Sequence, residues 1–337
     1  MKTKIRKTYN YIIRLVIIIA TYYFVYREIF YKKDLAEVFS LFKEIFSSDG
    51  FILQMLIVFL LMFINLGLES WKWKFLIKKI EHIPFFTSFQ GVLTGISVSA
   101  FTPNRVGDYF GRVFILKKAN HWEGILITII GSMGQLITTI LLGSIAILIF
   151  IPEFFILSKY FYGYFYYVLF AVIIIVDILI LLFYFNVSIL TTFLQKFTRK
   201  KWNKFREHLN VFSLYSKKEL LVVLLISIFR YFIFSFQFYL LFRLFSVPIP
   251  IFYSFVLVSV IYFIMAVIPT ITLAELGIRG SVSIYIVGLF FEKYSLLTNQ
   301  INIGIFSASS TLWLINIILP AIIGTIFVYR LKFFRKI

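Results

Sequence analysis

Apolar residues in this chain run in long blocks, and the blocks are not interrupted at every second position. Six blocks match or approach the roughly 20 residues that a helical membrane span needs: Tyr11–Val25, Phe51–Glu69, Gly124–Ile151, Tyr164–Phe185, Leu220–Leu244 and Ile301–Tyr329. A transmembrane β-barrel would alternate apolar and polar residues over strands of about 10 residues. These blocks do not alternate, so the pattern predicts helices. Two further apolar segments, Phe85–Leu116 and Ile251–Phe291, are interrupted by proline, glycine and charge. The expectation is an all-α polytopic membrane protein forming a single transmembrane domain over 1–337.

Composition agrees with lipid as the solvent. The apolar share is 61% and the mean hydropathy is +0.94. A soluble domain has an apolar share of roughly 45–50%, and a globule of this length could not hide the excess. Lys2, Lys4, Arg6 and Lys7 precede the first block as they would in a signal peptide. However, Arg14 interrupts that block and no small-residue cleavage site follows, so it reads as a retained first helix.

Charge then sets the orientation. Basic residues mark cytoplasmic loops. The N-terminus, the link Trp71–Glu81 with Lys72, Lys74, Lys78 and Lys79, the stretch Gln195–Lys218, and the C-terminus with Arg330, Lys332, Arg335 and Lys336 all read as inside. Both termini are then cytoplasmic, as in a multi-pass protein of a prokaryotic plasma membrane. With these anchors, Phe85–Leu116 must enter and leave on the cytoplasmic side, and Ile251–Phe291 must enter and leave on the outer side. Both therefore read as re-entrant hairpins facing each other. The units around them match in order: span, hairpin, span. This predicts an inverted repeat with halves at about 51–151 and 220–329. Interrupted apolar segments at matching places in two halves point to a transporter binding site.

The hairpin tips carry Pro103 and Gly107 in the first half and Pro269 and Gly277 in the second. Backbone left unpaired at membrane depth must be buried in protein or face water. The tips should therefore line a polar cavity holding Arg105, Asp108 and Arg112 from one side and Glu275 and Arg279 from the other. Charge there is costly, so it is either paired or functional. Asp108 with Arg112, and Glu275 with Arg279, are at helical pairing distance. Guanidinium groups in surplus would suit a phosphate. A bound phosphate would sit near Arg105, Arg112, Arg230 and Arg279. Arg230 lies mid-span and needs a buried anionic partner or ligand; Asp177 could be that partner, or a proton site. Gln237, seven residues on, shares its helix face. Gln135 and Asn316 lie within other spans. The run Ser307-Ala308-Ser309-Ser310 suits close helix packing.

Several function classes have no support. There is no cysteine, and His82, His121 and His208 stand at no metal-ligand spacing. No metal, cofactor or catalytic residue is predicted. No nucleotide-binding loop, zinc-protease motif or nucleophile elbow occurs. The net charge of +19 lies beside apolar blocks and reads as attraction to anionic lipid, with no motif for nucleic acid.

Gly95 and Thr102-Pro103-Asn104-Arg105-Val106-Gly107-Asp108 to Arg112, with Ile268-Pro269 through Glu275-Leu276-Gly277-Ile278-Arg279, resemble the two signature regions of the lysylphosphatidylglycerol synthase transmembrane-region family, a flippase-like domain. The family's second region often has a Gly-Gly pair after the proline and a Glu directly after the arginine. The matching positions here are Ala274-Glu275 and Gly280. The resemblance implies a stand-alone member without the aminoacyltransferase domain, and so lipid handling or translocation. The expected partner is an anionic phospholipid or a polyprenyl-phosphate-linked substrate. Two other readings remain at this point. One is a membrane-embedded transferase with Asp108 or Glu275 as base. The other is a non-catalytic partner of a separate synthase.

Overall fold

The computed structural model describes residues 50–154, 159–187, 208–268 and 272–328, with isolated positions between 12 and 23. All regular structure among the described residues is helical. In chain order the helices are α1 (Phe51–Ile77), α2 (Phe85–Ser99), α3 (Gly107–Val113), α4 (His121–Phe154), α5 (Lys159–Phe185), α6 (Lys217–Leu244), α7 (Ile251–Val267), α8 (Thr272–Lys293), α9 (Asn299–Trp313) and α10 (Leu319–Val328). A short 3₁₀ turn, Pro103–Arg105, precedes α3, and a π-helical turn, Leu314–Ile318, joins α9 to α10.

Five stretches are long and apolar enough to cross a membrane: α1, α4, Gly163–Phe185 of α5, α6, and α9 continuing into α10. They coincide with five of the six expected spans. The other, Tyr11–Val25, lies outside the described residues but for isolated positions, as do Pro269 and most of Gln195–Lys218. The protein is a multi-pass helical membrane protein. One boundary differs from expectation. The first described span does not stop at Glu69 but runs on to Ile77. Lys72 is therefore no loop residue; it is packed inside, 1% exposed.

Each interrupted segment folds back on itself. In the first, α2 ends at Ser99, and the chain reverses through residues 100–106 into α3. The Gly107 amide donates to Thr102 Oγ1 at 2.9 Å, and Thr94 Oγ1 donates to the Gly111 carbonyl at 3.2 Å. Glycine is required where the arms touch. A Cβ on Gly111 would sit 2.7 Å from Gly95 Cα and 2.8 Å from the Thr94 carbonyl oxygen. The base of this hairpin is tied shut, because the Glu81 carboxylate accepts the backbone amides of Lys117, Lys118 and Ala119 at 2.8–3.1 Å. In the second, α7 and α8 pack side by side. Tyr253 near the start of α7 meets Phe290 near the end of α8, ring centroids 5.2 Å apart.

Helix α4 sets the two hairpins relative to one another. It has 34 residues, about 50 Å at 1.5 Å per residue. Its N-terminal end follows the base of the first hairpin. At its other end, Glu153 binds Lys293 and Tyr253, and Phe154 packs on Phe290, at the base of the second. The hairpins thus start at opposite ends of α4 and point toward each other. Their neighbours also correspond. Helix α2 lies along α10, with Ser97 Oγ donating to the Ala321 carbonyl at 2.6 Å and Gly324 against the Leu93 carbonyl. Helix α7 lies along α4, with Gly143 against the Phe263 ring. Helices α1 and α6 pack together between them.

Both hairpins open on the same local sequence. Ile83-Pro84, Phe86, Ser88-Phe89, Ala100, Pro103 and Gly111 recur as Ile249-Pro250, Phe252, Ser254-Phe255, Ala266, Pro269 and Gly277, all at one constant spacing. Pro84 and Pro250 occupy the N-cap position of α2 and α7, where a missing N–H costs the helix no hydrogen bond.

Candidate functional site

The hairpin tips meet. Arg105, on the first tip, donates through Nη2 to both oxygens of Glu275, in the first turn of α8, at 2.7 Å each. Arg279, one turn along α8, donates to Glu275 Oε1 at 2.5 Å. Asn104 and Arg105 both hold left-handed backbone, with φ of 48° and 54°. Such conformations cost of order 1–3 kcal/mol each for residues other than glycine, and they concentrate at ligand-handling sites. Arg105 remains 43% exposed, whereas Glu275 is buried.

A second cluster lies beside the first. Arg112 on α3 donates from Nε and Nη2 to the two oxygens of Asp108 at 2.7 and 2.6 Å. Its Nη1 donates to Glu69 Oε1 at 2.5 Å. Glu69 also binds Arg230 Nη1, and it takes Lys72 Nζ at 2.8 Å. Arg230, midway along α6, further donates to Asn65 Oδ1 at 2.7 Å and to Gln135 Oε1 at 3.1 Å. Among the described residues, five cations and three carboxylates therefore meet in these two clusters, leaving two positive charges unbalanced among them. Buried ions on this scale persist only when paired and hydrogen-bonded.

Two adjoining cavities open on these clusters. The larger encloses about 600 Å³ and is lined by Arg105, Glu275 and Arg279, with Gln135, Tyr262 and Asn316 among its polar groups. The smaller, about 150 Å³, is lined by Glu69, Asp108, Arg112 and Arg230. Arg105, Phe234, Asn316 and Ile317 line both, so they stand at the junction. Asn316 and Ile317 belong to the π-helical turn, a distortion frequent at functional sites. Arg279 Nε and the Tyr262 hydroxyl are buried without a hydrogen-bond partner. The large cavity is edged by the apolar end of α7, where Val267 is 69% exposed. Among the described residues, no group of His, Cys, Asp and Glu is placed to hold a metal ion.

The structure brings Arg105, Asp108, Arg112, Arg230, Glu275 and Arg279 to these two cavities. Both pairs expected at helical spacing form. Gln237 does not join them. It shares the Arg230 face, but at its height that face is covered by α1, and Nε2 donates to the Val58 carbonyl at 2.8 Å. Asp177 is not the partner of Arg230. It sits on α5 and accepts from Ser144 Oγ at 2.6 Å, while Glu69 takes the role. Pro103 opens the 3₁₀ turn, Gly107 begins α3, and Gly277 lies within α8 just beyond Glu275.

Glu69 and Lys72 join the site because the helix runs on past the span end that hydropathy places at Glu69, and Asn65 joins it from within that span. A signal was present. Glu69 and Lys72 stand at i,i+3, and Arg230 required a buried anion somewhere. Tyr262 was likewise hidden in a run that read as uniformly apolar.

Comparison with curated proteins and with solved structures gave no match. A family model, lysylphosphatidylglycerol synthase TM region, matches residues 11–298.

Proposed function

The chain belongs to the lysylphosphatidylglycerol synthase TM region family, and from that membership we propose that it binds an anionic lipid or lipid-linked substrate and translocates it across the plasma membrane. The observation that carries this reading is the surplus of guanidinium charge, Arg279 largely buried and Arg105 partly exposed, around a ligand-sized cavity at the meeting point of two opposed hairpins. Pockets of roughly 300–1,000 Å³ are typical of small-molecule sites. A headgroup would enter the cavity while its hydrocarbon tails stay in lipid past the apolar end of α7.

The reading includes the topology. With both termini cytoplasmic, the bases of the two hairpins lie at opposite membrane faces, as their positions at opposite ends of α4 support. The halves at about 51–151 and 220–329 then form an inverted repeat, which the matched helix pairings and the recurring Ile-Pro-x-Phe-x-Ser-Phe opening also support. Alternating access would come from movement about the contact between Arg105 and Glu275. In this reading Arg105 and Arg279 hold the phosphate. Arg112 and Arg230, already saturated by Glu69, Asp108, Asn65 and Gln135, shape the floor. The transferase alternative gains less from the geometry. Both oxygens of Asp108 and both oxygens of Glu275 already accept from arginine donors, so neither carboxylate has an unengaged oxygen to meet a substrate proton.

The test is lipid crossing in proteoliposomes, with a fluorescent anionic phospholipid quenched from outside. The expected result is accelerated crossing that is lost when Arg105→Ala and Arg279→Ala are combined. Unchanged crossing in that variant, or no crossing of any lipid by a protein shown to be folded, would overturn the reading.

A further inference from the structure

We infer that the π-helical turn Leu314–Ile318 is the joint at which the two hairpins move relative to each other, with α10 carried by the first hairpin and α9 by the second. This rests on the reading that access to the cavities alternates by movement of the hairpin tips, and it places the joint for that movement in the last span.

The turn has a cause in the sequence. Pro320 stands inside the last span, directly after Leu319. Proline has no N–H to donate, and its ring would meet the carbonyl four residues back, that of Asn316. The helix widens just ahead of it. The Leu319 N–H reaches back five residues, to the Leu314 carbonyl, where a regular helix reaches back four. At the other edge of the turn the Leu314 N–H still reaches the Ser310 carbonyl, four residues back. The Asn316 side chain ties the two edges together, Nδ2 donating to the Leu312 carbonyl at 3.1 Å. Prolines and π-helical turns are the places where helices bend sharply, and the last span has both within a few residues.

The two sides of the turn are fastened to different hairpins. Beyond it, α10 packs on α2 of the first. Gly324 lies against the Leu93 carbonyl, and Ser97 Oγ donates to the Ala321 carbonyl at 2.6 Å. Ahead of it, α9 packs on α8 of the second, and on α6. Gly280 lies against the Phe306 ring, and Ser283 Oγ donates to Ser309 Oγ at 3.4 Å. Small residues let these helices approach closely, so each half of the last span follows its own hairpin. The turn also sits where the tips meet. Ala100 of the first tip and Leu276 beside the second share one small apolar cluster with Trp313, Ile317, Ile318 and Ala321. From the same turn Asn316 and Ile317 line both cavities. A change of angle at the turn therefore moves one tip against the other and reshapes the junction between the cavities. An uninterrupted helix at this place would hold the tips fixed.

The experiment is pulsed electron paramagnetic resonance on the full chain in nanodiscs, with spin labels at Tyr285→Cys on α8 and Ile326→Cys on α10. Both positions are exposed, and the chain has no cysteine of its own. The comparison is a straightened variant, the same labelled chain lacking Leu314 and carrying Pro320→Ala, which removes the extra residue of the turn and the proline together. The parent is expected to show two distance populations between the labels and the straightened variant one. In the proteoliposome assay the straightened variant is expected to move lipid at least about tenfold more slowly than the parent, since a conformational step of this kind limits the cycle. One distance population in the parent overturns the inference. So does a folded straightened variant that keeps both populations or moves lipid at the parental rate. Should the straightened variant not fold, the parent decides by itself: two populations uphold the joint and one overturns it. Two populations in a parent that moves no lipid sink the translocation reading alone.

Discussion

Glu69 is the residue on which the interior depends most, and Glu69→Gln isolates its charge. The carboxylate takes Arg112 Nη1, Arg230 Nη1 and Lys72 Nζ. Glutamine preserves the shape but leaves those three cations with Asp108 as the one carboxylate in their cluster. Removing one member of a buried ion pair costs about 3–5 kcal/mol, because the remaining charge is left uncompensated. At about 1.36 kcal/mol per tenfold, the ratio of folded to unfolded protein should fall by a factor on the order of 10² to 10⁴. The assay is unfolding in detergent followed by tryptophan fluorescence, since Trp73 lies one turn along α1 from Glu69 and is buried. The second arm is Glu69→Gln combined with Lys72→Met, which removes one of the stranded cations. The double variant should be more stable than Glu69→Gln alone, a non-additivity of at least about 1 kcal/mol. Parental stability in Glu69→Gln, or additive losses in the double variant, would refute the reasoning.

Three further outcomes follow from particular contacts. Gly111→Val should destabilise by about 1–3 kcal/mol or more, seen as a lower melting temperature, because its Cβ meets the α2 backbone at Gly95 and Thr94. Thr128→Val, which removes the acceptor for Trp73 Nε1 at 3.0 Å, should cost about 1–3 kcal/mol by stranding a buried donor, with a shifted tryptophan emission. Arg105→Ala should leave the melting temperature within a few degrees of the parent, because Glu275 keeps Arg279. The same variant should slow lipid crossing severely in proteoliposomes.

Much of the fold was legible because membrane spans are read from length and hydropathy, and five of the six expected blocks meet helices. The interrupted segments were legible for another reason. The basic anchors put both ends of each segment on one side, which predicts a reversal at the proline and glycine between them, and the two arms of each segment do pack on one another. The site was only partly legible. Pairs along one helix, Asp108 with Arg112 and Glu275 with Arg279, follow from local spacing. Pairs between helices do not, because the rotation of each helix about its axis is set by packing. Gln237 illustrates the difference: it has the right face of α6, but that face is already covered by α1 at its height. Lys72 illustrates another failure. A lysine close to a span end reads as a loop marker, yet α1 continues about two turns past Glu69, to Ile77, and draws it inside. The repeat at Ile83-Pro84 and Ile249-Pro250 stood in the sequence throughout, and aligning the two segments would have strengthened the case for paired hairpins.

The central claim is that the two hairpins enter from opposite faces and return to the face they came from. The chain has no cysteine, so single cysteines can be placed at will. His82, Lys118, Ser246 and Leu296 are all exposed, and they flank the first and second hairpins respectively. Labelling with a membrane-impermeant thiol reagent, in oriented vesicles of each sidedness, is the direct measurement. His82→Cys and Lys118→Cys should react from the cytoplasmic side only, and Ser246→Cys and Leu296→Cys from the outer side only. If either hairpin's two flanks react from opposite sides, that segment crosses the membrane and the account of a site between two opposed tips is wrong.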